Sequence, residues 1–190
     1  MNNRIVDSKL RFPKFKNKWE FIKFKKYIKL YRGSSPRPIH EYLSYGDGVN
    51  WIKIGDTKNC VNYKISSTEE KITYAGAEKS RYVNSGELIL ANSMTYGKAY
   101  LLEISGCIYD GWFVLRDYEQ YFDKRFLLYQ LNSDILQKQY QKLSAGGIVL
   151  NISSDIVYQT NIFHTSIEEQ QKIAECLNSI DELIAGEEDK

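Results

Sequence analysis

Two short stretches carry side chains suited to gripping a polyanion or reading a polar edge. Arg32, Ser34, Ser35 and Arg37 frame a loop with two forked guanidiniums and two hydroxyls. A guanidinium presents donors in a fixed plane, which fits a phosphate or the paired acceptors of guanine. The same serines can instead brace a surface loop through their own backbone bonds. Further on, Asn92, Ser93, Tyr96 and Lys98 bring together an amide, a hydroxyl, a phenol and an ammonium. A primary amide matches the donor–acceptor edge of adenine, and a phenol or ammonium suits phosphate; a polar turn that ends a strand is the rival account. Lys53 sits between Ile52 and Ile54 and, in a strand, would point away from both. Lys79 and Arg81 add two cations, which read either as phosphate contacts or as solvated surface charges. Ser144, Gly146 and Gly147 make a loop open enough for backbone amides to approach phosphate, and equally a helix C-cap.

Residues for covalent or metal chemistry do not assemble into any pattern. Cys60, Cys107 and Cys176 are an odd number without a CxxC pair, and His40 and His164 lie far apart, which argues against zinc and against a disulfide framework. Gly97-Lys98 is followed by Ala99, with Asn92 where a phosphate-binding loop needs its first glycine. Gly46 and Gly48 lack the third glycine of a dinucleotide fingerprint. Neither histidine supports a nucleophile triad, and neither a methyltransferase tetrapeptide nor a nuclease pattern is present. The expectation is a non-catalytic binder without a cofactor; an enzyme such as a nuclease, with motifs not visible here, is the counter-reading.

The elements that must hold these residues read as β-rich. The 190 residues suffice for one domain with a sizeable core, or one domain plus a short appendage. Trp19 to Leu30 suits a short helix or strand. Gly33 to Pro38 is a loop, and Trp51 to Gly55 alternates as a strand. Strand-like pieces follow at Tyr63–Ser67 and Lys71–Gly76, then Glu87–Met94, Ala99–Ile104 and Gly111–Arg116. Trp112 and Tyr109 could stack on a ligand, although core packing is the ordinary fate of a tryptophan in such a strand. Tyr121 to Leu143 has helical spacing through Phe122, Phe126, Tyr129, Ile135 and Leu136, and Ile148 to Ile152 reads as a last short strand. Ser166 and Glu169 have the form of a capping box. Beyond them Ile173, Leu177, Ile180 and Ile184 recur with the 4-3-4 spacing of a coiled-coil seam, ending near Gly186. The expected fold class is α+β, with peripheral helices and an amphipathic C-terminal helix.

Charge is unevenly distributed. The first 37 residues hold twelve Lys or Arg against Asp7 and Glu20, whereas residues 168–190 hold eight acidic residues against two lysines. A basic arm suits a polyanion through counterion release, or serves simply as a solubilising face. No apolar run reaches membrane-spanning length and the first residues are polar, so the expected address is cytoplasmic.

Several segments, in order, resemble the target-recognition region of type I restriction-modification specificity subunits: LRFPKFKNKWE (Leu10–Glu20), GSSPRPI (Gly33–Ile39), WIKIGD (Trp51–Asp56), KSRYVNSGELILANSMTYGKAY (Lys79–Tyr100), GCIYDGW (Gly106–Trp112), GGIVLNIS (Gly146–Ser153) and EEQQKIAECLNSIDELI (Glu168–Ile184). The resemblance implies a recognition domain over residues 1–165 and the start of a spacer or dimerisation helix over 166–190. It implies double-stranded DNA as ligand, read as half of a bipartite site. It further implies a modification subunit and, through it, a restriction subunit as partners, with a second specificity half or a homodimer completing the site. Two departures stand out: no proline precedes the Glu-Gln segment, and the helix is too short for a full spacer. A non-catalytic interaction module that binds the modification subunit or another specificity subunit without reading DNA is the alternative.

Overall fold

The computed structural model describes residues 4–6, 11–58, 60–93, 97–144 and 151–188. In chain order its strands and helices begin with β1 (Arg4–Val6), β2 (Trp19–Lys23), β3 (Lys29–Arg32), β4 (Leu43–Ser44), β5 (Val49–Ile52), β6 (Lys64–Ile65), β7 (Glu70–Ile72), α1 (Tyr74–Glu78) and β8 (Arg81–Val83). They continue with β9 (Leu88–Ala91), β10 (Ala99–Leu102), β11 (Gly106–Ile108), β12 (Trp112–Arg116), α2 (Lys124–Asn132), α3 (Asp134–Leu143), α4 (Ser154–Gln159), β13 (Asn161–His164) and α5 (Ile167–Glu188).

A central sheet in the order β3-β12-β9-β10-β6 forms the middle layer. Its strands are apolar on both faces, and the two-residue period of a strand divides them cleanly. Leu88, Leu90, Ala99, Phe113 and Leu115 pack with α2, α3 and the third sheet. Ile89, Ala91, Tyr100, Leu102, Trp112 and Val114 face a second sheet, ordered β4-β7-β5-β11-β8, and meet its Ile52, Val83 and Ile108. Each of the leucine, isoleucine, valine and phenylalanine side chains among them contributes on the order of 2 kcal/mol when fully buried. The buried Asn132 locks α2 to the central sheet, because its amide accepts from the Ala99 N–H at 3.0 Å and donates to the Ala99 carbonyl at 2.9 Å. A small antiparallel sheet, β1-β2-β13, inserts Ile22 and Ile162 into the same helix-side core.

The fold is α+β and β-rich, with a C-terminal helix, as the pattern of elements predicts. Local boundaries differ. Trp19–Leu30 is strand, one 3-10 turn, then strand. The Trp51–Gly55 strand stops at Ile52, because the Asp56 carboxylate takes the Lys53 N–H at 2.7 Å and starts a 3-10 turn. In Lys71–Gly76 only the front half is extended; Thr73 caps α1 by accepting from the Gly76 N–H. The long helix expected from Tyr121 is two helices, since the Ser133 hydroxyl accepts from the Leu136 N–H and begins α3. Residues 148–150 of the expected last strand lie outside the described residues, and Asn151 forms a single bridge to Ser93. α5 runs through Gly186 to Glu188, beyond the expected stop.

Candidate functional site

Two crossovers between the central and second sheets lie side by side. After β3 the chain passes from one sheet to the other, with the Gly33 N–H bonded to the Trp112 carbonyl at 2.9 Å and the Ser34 N–H to the Ile108 carbonyl at 3.1 Å. Residues Tyr109-Asp110-Gly111 make the second crossover, from β11 to β12. The backbones touch: a Cβ on Gly33 would fall inside the Tyr109 carbonyl oxygen and 2.7 Å from that of Ile108. Only glycine fits at that contact.

This juxtaposition makes Asp110 a hub. Its carbonyl accepts from Arg32 Nε at 3.1 Å and from the Asn92 amide at 2.9 Å. Its carboxylate accepts from the Ser35 hydroxyl at 2.6 Å and from an Arg37 guanidinium nitrogen at 3.4 Å. The Ser35 hydrogen bond holds the Asp110 carboxyl below its ordinary range against the opposing effect of burial, helped by Arg37 and Arg32. Four residues singled out by type alone thus converge on one residue that was not. Its only sequence signal was its place in GCIYDGW, a charged residue between two apolar strands.

Other candidates surround the hub. The Ser34 hydroxyl donates to the Lys79 carbonyl at 3.4 Å, and Arg81 donates to the Arg32 carbonyl at 3.2 Å. Lys79 contacts the Tyr42 hydroxyl and lies 4.5 Å from its ring centre, while Arg81 and Arg116 flank the Tyr31 ring at 5.7 and 5.8 Å. Such ring contacts hold cations in place without neutralising them. Ser93 reaches the Tyr109 hydroxyl at 3.4 Å. Beside the hub opens a cleft of about 740 Å³, lined among others by Arg37, His40, Trp51, Lys53, Glu70 and Asp110. Lys53, immediately after β5, is ion-paired with Glu70 there. The neighbouring Asp56 carboxyl is pushed up by burial, despite its backbone bonds.

Some candidates stand apart from the exposed face. Asn92 is buried, so its amide holds the Asp110 turn rather than facing solvent. Lys98 belongs to the same end of the central sheet, where its carbonyl accepts from Ala91 N at 2.9 Å, but its ammonium lies 5.9 Å from the Tyr63 ring. Ser144 closes α3, its N–H bonded to the Tyr140 carbonyl. Trp112 is fully buried core. Tyr96, Gly146 and Gly147 lie outside the described residues. Among the described residues no group of three or more His, Cys, Asp or Glu is placed to hold a metal, and no helix is long and apolar enough to cross a membrane.

The seam of α5 divides into two parts. Ile173 packs against the helix-side core, and Leu177 shares with Arg11, Phe12 and Trp19 an apolar groove of about 350 Å³. Ile180 and Ile184 are exposed, with Leu183 beside them. Tyr129 pins the middle of the helix to α2 by donating to Asp181 at 2.7 Å. The capping box is half formed: Ser166 accepts from the Glu169 N–H at 3.4 Å, but the Glu169 carboxylate is taken by Arg11 and Thr165.

A family model described as type I restriction modification DNA specificity domain matches residues 16–190. No curated protein sequence matches the chain. Among solved structures, a chain from work on complex assembly and conformational transition of the type I R-M system superposes with a TM-score of 0.68 at 18% identity, over 96% of this chain and 42% of that one. The HsdS subunit from Thermoanaerobacter tengcongensis gives 0.65 at 17% identity, over 96% and 41%. The type-I restriction-modification S subunit from M. genitalium gives 0.62 at 15%, over 93% and 42%. The chain therefore spans about two fifths of the length of the solved structures it matches, and at these identities the likeness is one of fold.

Proposed function

Because the chain belongs to the type I restriction modification DNA specificity family, we propose that it reads one half of a bipartite double-stranded DNA site through the face built around the Asp110 hub. The family supplies DNA target recognition to restriction-modification systems and is not itself the catalytic component. The observation that carries the reading is the convergence of Arg32, Ser35 and Arg37 on Asp110, with Asn92 bracing the turn from inside. Arginines held by a rigid frame lose less entropy on binding than arginines on a free loop.

Within this reading Arg37, Lys53 and Ser35 face the bases from the cleft, while Arg32, Lys79 and Arg81 position the duplex through its phosphates. Ser34 and Ser93 brace the two loops. Lys98, Tyr96, Ser144, Gly146 and Gly147 complete the candidate contacts. Residues 1–165 are the recognition domain, and 166–190 begin the helix that meets other subunits. The partners are a modification subunit, through it a restriction subunit, and a second specificity half supplied by another chain or another copy; no cofactor is required and the address is cytoplasmic.

A second reading rests on α5, whose exposed Ile180, Leu183 and Ile184 offer an apolar contact. There the chain binds a modification subunit or another specificity subunit without reading DNA. Co-purification with the host modification subunit, followed by methylation sequencing of treated DNA, separates the two. A methylated motif with a defined half-site is expected; a stable complex that methylates nothing would favour the interaction module.

A further inference from the structure

Arg37 and Asp110 form an exposed donor–acceptor pair on the rim of the cleft. The Arg37 side chain is 79% exposed and that of Asp110 40% exposed, so both can meet a ligand while still in contact at 3.4 Å. Arg37 lies between Pro36 and Pro38, which restrict the backbone on either side. Ser35 fixes the carboxylate by donating to Oδ1 at 2.6 Å. An ionised carboxylate offers about four acceptor positions, so capacity remains for a further donor.

The order of these groups selects among base pairs. A guanidinium offers donors only, and an ionised carboxylate acceptors only. Side by side they present donor, donor, acceptor. In the major groove a G·C pair presents two acceptors on guanine, N7 and O6, and then the cytosine N4 amino donor. An A·T pair presents acceptor, donor, acceptor, which sets the adenine N6 amino group against a guanidinium N–H and leaves thymine O4 facing the carboxylate. We infer that Arg37 and Asp110 together read a single G·C base pair, with Arg37 on guanine and Asp110 on cytosine. This inference rests on the DNA-reading proposal above and names the chemistry of one position within it. Asp110 is then a specificity-determining residue: a carboxylate adds nothing to phosphate attraction and gains only from an amino group facing it.

The test is selection of the full chain against a pool of randomised duplex DNA, for wild type, Arg37→Lys and Asp110→Asn. Arg37→Lys keeps the charge and loses the fork; Asp110→Asn keeps one acceptor oxygen for Ser35 and replaces the other by a donor. Wild type is expected to return a motif containing an invariant G·C pair. Both variants should flatten that same position, with preference for G·C falling about tenfold or more, while the remaining positions stand. Asp155→Asn, an exposed carboxylate on α4, should change no position. Should Asp110→Asn prove unstable in a thermal melt, Asp110→Glu, which keeps the charge and moves the carboxylate by one methylene, takes its place and should flatten the same position. Weakening across all sequences with the motif intact would make Arg37 a phosphate clamp and overturn the pairing, as would flattening at two different positions. A wild-type chain that selects no motif would overturn the DNA-reading proposal and this inference with it.

Discussion

Arg11 and Glu169, 158 residues apart, form a two-pronged ion pair at 2.6 and 2.7 Å, with the Glu169 side chain wholly buried. This pair ties the segment before β2 to the first turn of α5. Burial alone would raise the Glu169 carboxyl; the Arg11 and Thr165 hydrogen bonds outweigh it and hold the group ionised. Arg11→Ala removes the only opposite charge paired with Glu169 among the described contacts and leaves the Thr165 hydrogen bond, and the expected cost is about 3–5 kcal/mol. Denaturant unfolding of the two proteins measures it, and a loss below about 1 kcal/mol would show that water reaches Glu169.

His164 gives the chain a pH dependence. It ends β13 two residues before Ser166, stacks on Tyr27 with ring centres 5.9 Å apart, and meets the edge of Phe122 at 5.5 Å. Burial lowers its pKa, Glu20 opposes the shift and Lys26 adds to it. A depressed histidine favours the neutral form in the folded state, so its stability contribution is full above the ordinary histidine value, near 6.5, and is lost as pH falls below it. Thermal melts should therefore be level above about pH 6.5 and fall toward pH 5. In His164→Phe, which keeps the ring contacts, that decline should flatten; an unchanged slope would assign it to the carboxylates.

How much of this was legible in the residues depends on the range of the forces involved. β9, β10 and β12 were readable because both faces of each strand are buried, which leaves continuous apolar runs between turn residues. α4 and β13 were not: each is six residues or fewer, and β13 is defined by pairing with β2 some 140 positions earlier. The break at Ser133 was present as an N-cap signal, but the apolar spacing on either side masked it. The loop donors Arg32, Ser35 and Arg37 announced themselves by type. Asp110 could not, because its role arises only when two distant crossovers are brought into contact.

That contact is itself testable at Gly33. A single methyl there must displace the Tyr109 or Ile108 carbonyl, both of which are backbone atoms, on the opposing crossover and at the end of β11 that leads into it. Gly33→Ala should cost about 1–3 kcal/mol or more and should also disturb the Arg37–Asp110 geometry. Reduced DNA selectivity is therefore expected even at temperatures where the variant is fully folded. A folded variant of unchanged selectivity would show that the loop tolerates separation of the two backbones.

Lys79 and Arg81 should act differently from Arg37. Each cation lies over a tyrosine ring, on Tyr42 and Tyr31 respectively, and neither has a carboxylate partner among the described contacts. Charges held in this way suit phosphate, which attracts without regard to sequence. Lys79→Ala and Arg81→Ala should each weaken DNA binding on all sequences and reduce the salt slope of log K by roughly one. Fluorescence anisotropy titrations at several salt concentrations measure both effects. A change in the selected motif would move either residue into the group that contacts bases.

The divided seam of α5 supplies the last prediction. Ile173 and Leu177 are committed to the domain itself, so Asp at Leu177 would disturb the groove with Trp19 and confuse folding with assembly. Ile180 and Ile184 are 47% and 54% exposed, which makes them the clean positions to change. Ile180→Asp combined with Ile184→Asp should move the melting transition of the isolated chain by no more than about 2–4 °C, because surface substitutions usually stay within about 0.5 kcal/mol each. If the helix continues into a contact with the modification subunit or a second specificity half, burial of these two side chains contributes about 1.5–3 kcal/mol each. Co-purification should then fall by tenfold or more. Retained assembly would place the partner surface elsewhere, and Leu183, at 72% exposure on an adjoining face, would be the next residue to change.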